Sequence, residues 1–118
     1  MMQALDFVET TLSDAGVSMK IVMKMNIAVD EIFSNIKLYS GADQAEIACM
    51  VHEGHVTLTF TDNGKPYNPL DTAEPDTTLG ADERQIGGLG IFMVRKTMDN
   101  VSYVYRNNQN ILTLEKGE

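Results

Sequence analysis

The chain predicts an α+β fold: a two-layer sandwich in which about three helices cover one face of an antiparallel or mixed sheet. Three observations carry this expectation. Apolar residues recur at helical spacing from Ala4 to Tyr39, then switch to strict alternation from Ala45 onward. The alternating stretches come in pairs joined by short turns, as β-hairpins do. A long polar segment and a third apolar helical run separate the two pairs. The expected order is α-α-β-β-lid-α-β-β, in a single domain over residues 1–118.

Each element has its own signal. In "MQALDFVETTLSD", Ala4, Leu5, Val8 and Leu12 share one helix face, and Ala15-Gly16 ends the run. Ser18 is an N-cap for a longer helix, whose stripe is Ile21, Met25, Ala28, Ile32, Ile36 and Tyr39, with Ser40-Gly41 at its end. Ile47, Cys49 and Val51 alternate in a first strand over Ala45 to His52. Val56, Leu58 and Phe60 alternate in a second over His55 to Thr61, and Glu53-Gly54 turns between them. Asp62 to Gln85 is rich in Pro, Asp, Thr and Gly, a length of loop that usually serves function. A third helix is expected from about Gly88 to Asp99. Val101, Tyr103 and Tyr105 then alternate, "NNQN" turns the chain, and Ile111 to Lys116 pairs back. The outer face of the sheet should be the more polar one.

Composition excludes several classes. Hydrophobic residues make up 43%, enough for a packed core rather than a disordered tail. A net charge of -8 argues against direct binding to nucleic acid, which rests on neutralising phosphates. A single nucleotide is not excluded, because backbone N–H groups and a metal ion hold small anions. No apolar run reaches the roughly 20 residues of a membrane span, so no membrane association is expected. "MMQALDFVET" has neither a basic start nor a long apolar block, so no secretory signal is expected. Cys49 stands alone, which suits a reduced, cytoplasmic setting.

Three groups are candidates for chemistry, and each has an ordinary structural reading beside the functional one. Glu31 and Asn35 lie four apart, so they point the same way from the long helix. They are either the exposed edge of an amphipathic helix or a carboxylate and a neutral oxygen facing a pocket. Oxygen ligands of that kind suit Mg²⁺, which uses one or two protein groups and keeps its waters. Asp62 and Gly64 in "TDNGKPYNP" read as a common turn. Functionally, Asp62 would accept from the exocyclic amine of adenine, where guanine presents an oxygen instead, and Gly64 would let the ring come close. Gly87, Gly88 and Gly90 in "QIGGLGIFMV" are a loop-to-helix linker or a phosphate cradle. In a cradle, bare backbone amides and the helix N-terminus face the anion. The preceding loop would then hinge on Gly87 and Gly88 as a lid.

In this order the motifs resemble the GHKL ATP-binding domain, also called the Bergerat fold. Within it the chain is most similar to the bacterial anti-sigma factor serine-protein kinases. "AVDEIFSNI" resembles their N box, "DNGKPYNPL" their first glycine box, and "IGGLGIFMVRKTMDNVSYVYRNNQNILTLEK" their second box, helix and closing hairpin. The similarity runs from Leu5 to Lys116. The resemblance implies ATP and Mg²⁺ as cofactors. Asn35 would ligate Mg²⁺, Asp62 would accept from adenine above Gly64, and Thr113 would share the adenine-side water network. Gly88 and Gly90 would give amides to the phosphates, and Glu31 would be the general base for a serine hydroxyl. It implies a sigma factor and a STAS-type antagonist as protein partners, with a homodimer as an open expectation. Two other outcomes are carried alongside: a nucleotide-gated anti-sigma binding module without kinase activity, and a histidine-kinase-like ATPase fragment.

The chain departs from the family pattern in places. The family usually begins with a strand, often part of a dimer contact; here the helix starts almost at Met1, so that strand is expected to be missing or supplied otherwise. Leu38 stands where a basic residue is common, and Lys65-Pro66 follows Gly64 in place of a second glycine. Arg84 in the lid is either an exposed loop residue or a contact to the terminal phosphate.

Overall fold

The computed structural model describes residues 2–71 and 86–117. Helix α1 (Met2–Asp14) is followed by α2 (Met19–Asn35) and a π-helical turn (Ile36–Ser40) that continues it. Strands β1 (Ala45–His52) and β2 (His55–Asp62) form the first hairpin, and a 3₁₀ turn (Pro69–Asp71) follows. Helix α3 (Ile86–Thr97) leads into β3 (Asn100–Arg106) and β4 (Gln109–Gly117). Ser18 caps α2 as its sequence suggests, its side chain accepting from the Ile21 amide at 3.4 Å.

The four strands form one antiparallel sheet in the order β1-β2-β4-β3. Both hairpins turn through two residues of positive φ, Glu53-Gly54 and Asn107-Asn108, the geometry that matches strand twist. The β2–β4 pairing joins the two hairpins and is the central seam. It sets Asp62 opposite Asn110, at the end of both strands.

The core lies between the sheet and the helices. Val56, Leu58 and Phe60 of β2 and Leu112 and Leu114 of β4 are buried against Val8, Leu12, Met25, Val29 and Ile32. Phe33 meets Phe60 edge-on at 5.6 Å, fixing α2 over the centre of the sheet. Helix α2 touches α1 on one side and α3 on the other. The outer sheet face carries Thr57, Thr59, Thr61, Ser102 and Thr113, although Met50 and Val104 are also exposed there.

Several details differ from expectation. β4 begins at Gln109 rather than Ile111, because the turn needs only Asn107-Asn108; Asn110 is therefore a strand residue. Helix α3 starts at Ile86 and ends at Thr97, two residues earlier than expected at both ends. Tyr39 leaves the apolar stripe and is exposed, while Ser40 is buried. The cause is the π-helical turn, which holds more residues per turn than an α-helix and so shifts the phase. Tyr39 instead stacks on Tyr67, with ring centroids 5.1 Å apart.

Candidate functional site

The end of β2 carries the most polar part of the interior. Asp62 is 4% exposed, and its Oδ1 accepts three hydrogen bonds. Ser40 Oγ donates at 3.1 Å, the Gly64 amide at 2.9 Å and Asn110 Nδ2 at 3.0 Å. All three converge on Oδ1, and among the described residues none donates to Oδ2. Local sequence accounts for each donor. Asn63-Gly64 folds the chain back so that an amide meets the carboxylate two residues behind. The π-helical turn rotates Ser40 inward, and the β2–β4 register brings Asn110 across.

Gly64 owes its identity to this packing. A Cβ there would sit 2.5 Å from the Ser40 carbonyl oxygen, closer than any real contact. The Lys65 amide then bonds that same carbonyl at 3.0 Å. Asn110, also 4% exposed, ties the loop down further. Its Nδ2 also donates to the Lys65 carbonyl at 2.8 Å, and its Oδ1 accepts from the Tyr67 amide at 2.9 Å and from the Tyr103 hydroxyl.

Asp62 and Asn35 face one small cavity of about 20 Å³, walled by Ser40, Tyr67, Tyr103 and Asn110. That is room for one water. Asn35 is buried, and its Nδ2 donates to the Glu31 carbonyl at 2.9 Å and to Glu31 Oε1 at 3.1 Å. Its Oδ1 is buried with no hydrogen-bond partner. A buried acceptor left unsatisfied in this way is costly and calls for an explanation. A hard divalent cation seeks a neutral oxygen of this kind, so the residues present fit Mg²⁺ with few protein ligands. Among the described residues no cluster of three His, Cys, Asp or Glu could hold a metal by itself.

Glu31 connects this cavity to α3. Burial pushes its pKa above the ordinary 4.5; the Asn35 hydrogen bond offsets part of this, and nearby Asp30 adds to it. A Cβ on Gly90 would fall 1.8 Å from the Glu31 carboxyl carbon, so the Glu31 carboxylate can lie against α3 in this position only because residue 90 has no side chain. Beyond this contact a groove of about 440 Å³ opens between α2 and α3, bordered by Lys24, Ile27, Glu31, Met93 and Thr97.

The structure thus brings together Glu31, Asn35, Asp62, Gly64 and Gly90. Gly87 and Gly88 lie in the first turn of α3, before Gly90. Thr113 is not part of the group: Leu112 and Leu114 point into the core, so strand alternation turns Thr113 to the opposite face. The β4 residue that meets Asp62 is Asn110. Leu38 is 67% exposed and stands away from the cavity. Arg84 and most of the lid, residues 72–85, lie outside the described residues. The sequence reading missed Ser40 and Asn110. Both would have needed the π-helical turn and the β2–β4 pairing to be known, and neither has a local signal.

Residues 1–116 match the sequence model of the family described as the histidine kinase-like ATPase domain. The chain belongs to this family. Its α+β architecture agrees with the Bergerat fold of histidine kinase-like ATPase domains. The solved structure of the Acinetobacter baumannii histidine kinase AdeS superposes with a TM-score of 0.59 at 16% identity, covering 81% of this chain and 46% of that one. The chain thus spans under half of AdeS, and that likeness concerns the fold. Among relatives, the serine-protein kinase RsbW of Listeria monocytogenes serotype 4a (strain HCC23) is 29% identical over 109 residues, 85% of this chain and 69% of that protein. The serine/threonine-protein kinase BtrW of Bordetella bronchiseptica is 29% identical over 101 residues, 82% of this chain and 71% of that protein. Among the described residues no helix is long and apolar enough to cross a membrane.

Proposed function

We propose that this histidine kinase-like ATPase domain binds ATP with Mg²⁺ and phosphorylates a serine on a STAS-type antagonist, while also acting as an anti-sigma factor. The observation that carries the reading is one unbroken line of contact. It runs from Asp62 across the small cavity to Asn35, then to Glu31, then to Gly90 at the start of α3. An adenine-selecting group, a cation ligand, a base and a phosphate-facing helix end are thereby ordered as ATP is. The names of the relatives point to the same class of activity.

In this reading Asp62 accepts from the adenine amine. The cavity holds only one water, so the adenine ring enters as the Tyr67 side chain swings aside, its backbone amide staying on Asn110. The free amides of the first turn of α3, those of Gly87 and Gly88, face the phosphates, whereas the Gly90 amide lies inside the helix and Gly90 serves the contact with Glu31 instead. Asn35 Oδ1 would hold Mg²⁺, which supplies charge neutralisation on the phosphates when bound. The serine hydroxyl approaches Glu31 from the α2–α3 groove. Its Oγ forms the new bond to the γ-phosphorus, the bond from that phosphorus to the ADP oxygen breaks, and the hydroxyl proton passes to Glu31. The test is incubation with radiolabelled ATP, Mg²⁺ and candidate antagonists. Label on a serine is expected; ATP binding with no transfer to any of them defeats the kinase half.

One observation favours a second reading. Glu31 Oε1 is already bonded to Asn35 and lies against Gly90, a place suited to positioning alone. ATP would then only set partner affinity. Retained biological output in Glu31→Gln would decide for this gated module.

A further inference from the structure

We propose that Ser40 and Asn110 set the purine selectivity of the site by occupying one oxygen of Asp62. The inference rests on the reading of Asp62 as the adenine contact. A carboxylate is not intrinsically selective for adenine. Its two oxygens, side by side, match the adjacent N1–H and N2–H donors of guanine. A single oxygen matches adenine, which offers one amine beside an acceptor nitrogen. Selectivity therefore depends on how many oxygens Asp62 presents.

The structure presents one. Three donors meet Oδ1, more than its two in-plane lone pairs require, so no capacity remains there for a ligand. The arrangement cannot reverse. Asn110 Oδ1 is claimed by the Tyr67 amide and the Tyr103 hydroxyl, both of which donate. Its Nδ2 must therefore face Asp62. Ser40 Oγ has two acceptors within reach, Asp62 Oδ1 at 3.1 Å and the Ile36 carbonyl at 3.0 Å. The Ile36 carbonyl also receives the Gly41 amide, so the hydroxyl proton is available to Asp62, the stronger acceptor. Both residues act through Asp62 and are positioning residues.

The test compares ATP and GTP affinity, with Mg²⁺, by calorimetry on the whole chain. Each single substitution leaves two donors on Oδ1, so Ser40→Ala and Asn110→Ala alone should leave the ATP-over-GTP ratio close to the parent's. The double variant leaves only the Gly64 amide on Oδ1 and should narrow the ratio about tenfold, the size of one hydrogen bond to a charged group. The ratio is read on one sample, so partial unfolding does not change it; if the double variant fails to fold, Ser40→Ala combined with Asn110→Leu, which keeps the volume, decides. Leu38→Ala, at an exposed position, should leave the ratio unchanged. An unchanged ratio in the double variant with ATP binding intact overturns the proposal. Undiminished ATP binding in Asp62→Asn overturns instead the reading beneath it.

Discussion

Glu31 is the residue whose environment makes the sharpest demand. Its raised pKa means that the carboxyl takes up its proton at a higher pH than a free glutamate does. The basic form is therefore lost as pH falls through that raised value. Serine transfer should show an acid limb above the ordinary 4.5, and Glu31→Gln should remove the limb while cutting the rate roughly 10²–10⁴-fold. Stability should move the other way. Between the unfolded and folded pKa values the native state binds more protons, so stability declines as pH rises through that window. A neutral glutamine escapes this and still offers an oxygen to Asn35. The Tm of Glu31→Gln at neutral pH should match or exceed the parent's. A drop of more than about 4 °C, roughly 1 kcal/mol in a domain of this size, contradicts the assignment.

Between elements, two glycines permit close approach, and alanine should separate their roles. At Gly90 the obstructing atoms are the far end of the Glu31 side chain, which can rotate. Gly90→Ala should therefore fold, gaining up to about 1 kcal/mol of helix propensity, yet lose phosphoryl transfer because Glu31 is displaced. At Gly64 the obstruction is the Ser40 backbone carbonyl, which cannot yield without moving the π-helical turn. Gly64→Ala should cost about 1–3 kcal/mol and weaken ATP binding as well. Thermal unfolding beside a transfer assay distinguishes the two. Equal losses of stability in both variants would mean that α3 and the β2 loop are held by something other than these contacts.

Across the whole molecule, the proposed ligand bridges the end of the central strand pair and the helical layer, so binding should report on global stability. ATP with Mg²⁺ should raise Tm, by about 2.7 kcal/mol of stabilisation at a hundredfold excess over Kd. Removing Mg²⁺ with a chelator should erase a large part of that gain, since it leaves Asn35 Oδ1 without its proposed partner. Asn35→Ala should lower the chelator-sensitive part alone. A gain unaffected by chelation would remove Asn35 from the metal's coordination.

Much of this protein was legible in one dimension. Among the described residues, periodicity placed the three α-helices and the four strands, because burial of one face imposes a repeat of 3.6 or 2 wherever a core exists. Glu31 and Asn35 were legible as a pair because a helix repeats its face every four residues, and Gly90 because α3 begins beside it. Thr113 lies on the sheet face away from Asp62, a placement that needed the strand phase: one residue of offset moves a side chain through the sheet. Ser40 and Asn110 could not be reached that way. Ser40 turns inward because one helical turn is wound wide, and Asn110 meets Asp62 across a pairing 48 residues apart. Local spacing specifies which residues share a face. Only the packing of β4 against β2 and of α2 against both specifies which oxygen of Asp62 is left for a ligand.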